Sequence, residues 1–134
     1  MSHTAQTNFT NYSQMFNTHF VEFVEYICNI FPEDLDLVSA KNSLIGLKRI
    51  NPRIFIKIWK QYITDKYLER IASGDVTFFI EKDYSEDVYD TSYSDKILQG
   101  INRLRDPIRR MDAVRQQHTM KYIQNLTNIS LLSK

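Results

Sequence analysis

Residues 51–74 read NPRIFIKIWKQYITDKYLERIASG, and the fold turns on how this stretch repeats. Phe55, Ile58, Trp59, Tyr62, Ile63 and Tyr67 recur at steps of three and four, which places them on one broad face of an α-helix. Lys57, Lys60 and Lys66 fall toward the other side. Asn51-Pro52 is an opening signal, since Asn caps helices and Pro suits their first position. Ser73-Gly74 is a closing one, because Gly readily takes the left-handed conformation past a helix end. Leu68 and Ile71 prolong the apolar face, and the run is long enough to expect a bend near Thr64-Asp65.

The same period extends upstream. Phe16, Phe20, Phe23, Ile27 and Ile30 make one apolar stripe, predicting a helix from about Ser13 to Phe31 that Pro32 ends. Residues 1–11 are small, polar and aperiodic, so they read as a disordered tail. A second helix is expected from Pro32 or Glu33, where Glu33, Asp34 and Asp36 suit the positive end of a helix dipole. Leu37, Ala40, Leu44 and Leu47 share its inner face. Gly46 costs this helix up to about 1 kcal/mol relative to Ala and leaves room for a neighbour to pack closely.

Downstream, Asp75 to Ile80 suits a strand by composition or a short helix capped by Asp75. The helix is favoured, because a lone strand cannot pair its own backbone. Residues 83–94, DYSEDVYDTSYS, read as an exposed acidic loop. Further helices are predicted from Ser94 to Arg105, with Ile97, Ile101 and Leu104 inward, and from Asp112 to about Leu131, with Met120, Ile123, Leu126 and Ile129 inward. Asp106-Pro107 opens a short segment between them that carries Ile108 and Met111. The expectation is an all-α fold: a single compact bundle of about five or six helices over residues 12–134.

The chain has 134 residues, 43% hydrophobic, with 3 Gly, 3 Pro and 1 Cys. That excludes collagen-like and low-complexity classes, a disulfide framework and a cysteine-rich zinc site. The net charge is only +1, but it is segregated in blocks. Residues 41–70 carry net +6, residues 75–95 net −6 and residues 96–121 net +5. This pattern suggests two contact surfaces. One is basic, formed by Lys57, Lys60, Arg103, Arg105, Arg109 and Arg110. The other is an acidic and aromatic loop with Asp83, Tyr84, Glu86, Asp87, Tyr89 and Asp90. A basic surface can neutralise phosphates or grip an acidic protein.

Catalytic signatures are missing from the sequence. His3, His19 and His118 lack partners at a metal-binding spacing; His19 and Glu22, three apart, read as a helix-surface contact. Cys28, beside Ile27 on an apolar helix, reads as a buried structural thiol. The carboxylates of 83–90 lack the Gly and terminal Glu of a calcium loop. No phosphate-cradling glycine loop and no nucleophile elbow occur. The expectation is a non-enzymatic protein with no cofactor and no metal. The polar opening residues carry no basic start before an apolar run, and no apolar stretch is long enough to span a bilayer, so the chain is expected to be neither secreted nor membrane-inserted. Its expected partner is a protein, viral or a second copy of itself, with nucleic acid as the alternative through blocks 41–70 and 96–121.

Three stretches also carry a resemblance: HFVEFVEYICNIFPED at residues 19–34, LKRINPRIFIKIWKQYITDKYLERIASGDVTFFIEKDYS at 47–85, and KYIQNLTNIS at 121–130. Their Asn-, Ile- and Lys-rich character resembles that of a group of small uncharacterised proteins of nucleocytoplasmic large DNA viruses of protists and algae. The resemblance implies a viral origin and a structural or assembly role, in the virion or in the cytoplasm or nucleus of the infected cell. It brings no functional residue with it.

Overall fold

The structure, a computed structural model, describes residues 2–81 and 93–133, with the side chains of 2–11, 93 and 94 excepted. Every regular element among the described residues is helical: α1 (Ser2–Ile30), α2 (Leu35–Ile50), α3 (Ile54–Trp59), α4 (Asp65–Ala72), α5 (Thr77–Glu81), α6 (Tyr93–Asn102), α7 (Arg105–Arg109) and α8 (Ala113–Leu132). A π-helical turn, Lys60–Thr64, joins α3 to α4. Counted as rods, these are α1, α2, the α3–π–α4 unit, α6 and α8, plus two five-residue helices, α5 and α7. The expected all-α bundle is therefore the observed fold. Of the segment at 75–82, ambiguous between strand and helix, Thr77–Glu81 is helical, and residues 75–76 before it are not.

Two helix starts obey the capping rule. Asp34 Oδ1 accepts from the Leu37 amide at 3.0 Å, and Asp112 Oδ1 accepts from the Arg115 amide at 2.8 Å. Each satisfies one of the donors that a helix start leaves unpaired. Gly74, at φ 81°, takes the left-handed conformation that ends α4. Asn51-Pro52 behaves differently from expectation. Asn51 closes α2, its amide donating to the Leu47 carbonyl, and α3 begins only at Ile54. Pro52 lies in the intervening turn, where its carbonyl accepts from Asn17 Nδ2 at 2.6 Å. Only Arg53 separates the proline from the start of α3. The backbone of α1 continues past Ser13 to Ser2, and its first described side chain against the core is Tyr12.

The core is continuous and aromatic at its centre. Trp59, with no exposed surface, has its ring 5.9 Å from Phe16, 6.2 Å from Phe20 and 6.5 Å from Phe23. All three are edge-on contacts, which match the positive ring edge of one partner to the negative face of another. α1 and α8 run antiparallel. The Tyr26 hydroxyl meets the Arg115 carbonyl, and farther along the seam His19 stacks on Tyr122 at 5.2 Å. The α3–π–α4 unit lies against α8, and α6 packs on α2 and α3.

The expected bend is the π turn, with a kink beyond it at Tyr67 (φ −130°, ψ 21°). One extra residue in the turn rotates the helix beyond it, so Trp59, Ile63 and Thr64 all lie inward. A buried polar ladder fixes this register. Trp59 Nε1 donates to Thr127 Oγ1 at 3.1 Å, and Ser130 Oγ donates to the Thr127 carbonyl at 2.7 Å. The Ser130 proton is thereby engaged, so the Thr64 hydroxyl donates to Ser130 Oγ, 2.7 Å away.

Candidate functional site

The six basic residues singled out from the sequence do not form one free surface. Arg105 Nε and Nη2 donate to the Ile80 carbonyl at 3.0 and 2.8 Å, and Arg109 Nη2 donates to the same oxygen at 3.1 Å. Both guanidinium groups thus cap the negative end of α5. Arg110 turns instead to the corner between α1 and α2. It donates to Asp34 Oδ2 at 2.9 Å and lies over the Phe31 ring at 4.8 Å. The Leu37 amide, the larger influence, and the Arg110 guanidinium together hold the Asp34 carboxyl below the usual carboxylate range. Lys57 is exposed on α3 and Lys60 half-buried on the π turn. Arg103, exposed at the foot of α6, makes no side-chain hydrogen bond or ion pair among the described residues. The acidic loop residues Asp83, Tyr84, Glu86, Asp87, Tyr89 and Asp90 lie outside the described residues.

The fold assembles instead a groove of about 320 Å³ between α2 and α6. Its α2 wall is Asn42, Ser43, Gly46, Leu47 and Ile50; its α6 wall is Lys96, Gln99, Gly100 and Arg103. The spacing of each set is helical, so each wall is one side of its helix. The groove exists because the helices touch closely at one point. A Cβ on Gly100 would sit 2.6 Å from Leu44 Cδ2 and 2.8 Å from its Cγ. Leu44 is buried and cannot swing away. Gly46 is different: a Cβ there would meet nothing within 4 Å. Both cations of the groove, Lys96 and Arg103, belong to the 96–121 block; the α2 wall lies within the 41–70 stretch but contributes no Lys or Arg. Among the described residues, no His, Cys, Asp or Glu lines the groove. The sequence signalled Gly46 as a helix-weakening residue that would let a neighbour pack closely, but no described neighbour lies within 4 Å of a Cβ there; Asn42, Ser43, Gln99 and Gly100 had no signal of their own.

Two other concave places lie elsewhere on the described surface. Between α1 and α8 lie His19, Glu22, Tyr26, His118, Lys121, Tyr122 and Asn125. His19 Nδ1 is 3.5 Å from Glu22 Oε2, the helix-surface pair read from the sequence, and its ring stacks on Tyr122. Tyr122 also stacks with Phe23 and Tyr26, so the rings are occupied with one another. The second place is the Phe31–Asp34–Arg110 corner. Cys28 is buried, as expected of a structural thiol, and burial pushes its pKa up, away from the reactive thiolate. No cluster of three or more His, Cys, Asp or Glu with metal-binding geometry occurs among the described residues. No helix among them is long and apolar enough to cross a membrane. Comparison with known protein families, curated proteins and solved structures found no match to the chain.

Proposed function

We propose that this chain is a non-enzymatic protein-interaction module whose contact face is the groove between α2 and α6. The lining of that groove carries the reading. Arg103, which makes no side-chain hydrogen bond or ion pair among the described residues, stands with Lys96 beside uncharged polar groups and the apolar Leu47 and Ile50, and no carboxylate is among the described lining residues. Acid–base and nucleophilic chemistry relies on positioned His, Cys or carboxylate groups, and the groove offers none of these. A mixture of apolar floor and cationic rim suits a protein surface, where charge selects the partner and apolar contact holds it. The resemblance to proteins of large DNA viruses suits a structural or assembly component of this kind, in the virion or the infected cell.

The alternative is a nucleic-acid-associated protein, favoured by the positive stretches 41–70 and 96–121, whose helices α2 and α6 pack together. Against it stand the near-zero net charge and the internal engagement of Arg105, Arg109 and Arg110. Affinity purification of the full chain from expressing cells, with and without nuclease, decides between them. The expected result is the same protein partner in both arms, released by Arg103→Glu. Loss of all bound material in the nuclease arm transfers the function to nucleic acid. Capture that is indifferent to Arg103→Glu rejects the groove.

A further inference from the structure

We draw no further inference here: the strongest candidate, the concave place between α1 and α8 where His19, Glu22 and His118 gather, carries nothing, because its aromatic rings pack on one another, its residues form no metal-binding cluster among the described ones, and nothing in the structure shows what covers it.

Discussion

Trp59 is the residue whose surroundings say most about this core. It meets three phenylalanines of α1 edge-on and spends its one donor on Thr127. Trp59→Ala should therefore cost about 3–5 kcal/mol, measured by urea unfolding, because it opens a cavity that the surrounding rings cannot collapse to fill. Trp59→Phe keeps most of the packing and leaves the Thr127 hydroxyl without its donor, so its cost should be clearly smaller. Asp34 acts at the same scale with a pH signature. Its carboxyl accepts from the Leu37 amide and from Arg110, and its pKa is depressed. A depressed carboxylate adds stability above its ordinary pKa and loses it as pH falls through the lower folded value. Asp34→Ala should cost about 1 kcal/mol at pH 7 through loss of the cap. The difference from wild type should begin to shrink below about pH 4 and continue to fall under it. A difference that stays constant down to about pH 2, well under the ordinary carboxylate range, would show that the charge contributes nothing.

At the scale of elements, the π turn and the two helix-interior glycines make opposite kinds of statement. The π turn brings Thr64 to Ser130 across the contact with α8. A double-mutant cycle on Thr64→Val and Ser130→Ala should give a coupling of about 1 kcal/mol, the net worth of one buried hydrogen bond. A coupling near zero would mean that apolar packing alone sets the register. Gly100 and Gly46 lie on facing walls yet answer alanine differently. Gly100→Ala drives a methyl group into the buried Leu44 and should destabilise by about 1–3 kcal/mol. Gly46→Ala meets open space and should stabilise. If both substitutions destabilise equally, the α2–α6 contact is closer than its geometry indicates.

On the whole-molecule scale, every main rod contributes to one apolar cluster, from Phe16 of α1 to Leu126 of α8. A single core predicts a single transition. Helical circular dichroism and the fluorescence of the lone tryptophan should be lost together on denaturation, with coincident midpoints. Two separated midpoints would split the bundle into independent units. The organisation of this core was legible from the chain itself. Stripes at steps of three and four can be inward only in one helical phase, and Phe16, Phe20, Phe23, Ile27, Ile97, Ile101, Leu104, Met120, Ile123 and Leu126 are all buried. Asp34, Asp112 and Gly74 were legible for a related reason: caps act on amides and angles within a few residues of themselves. Asn51-Pro52 misled because Asn17, far off in sequence, claims the Pro52 carbonyl and makes a turn of what local preference reads as a helix start.

The candidate site was legible only in fragments. Positive blocks can be counted along a chain, but which arginines remain available depends on carbonyls and carboxylates that folding delivers: Ile80 takes Arg105 and Arg109, and Asp34 takes Arg110. The sequence by itself determined the helical class, the inward faces and the local caps, because these rest on periodicity and on interactions within one turn. Only the tertiary structure decided that α2 meets α6, that one glycine is enclosed while the other stands open, and that a groove lies between. Those outcomes depend on contacts between elements far apart along the chain, such as Leu44 against Gly100, which no local preference encodes.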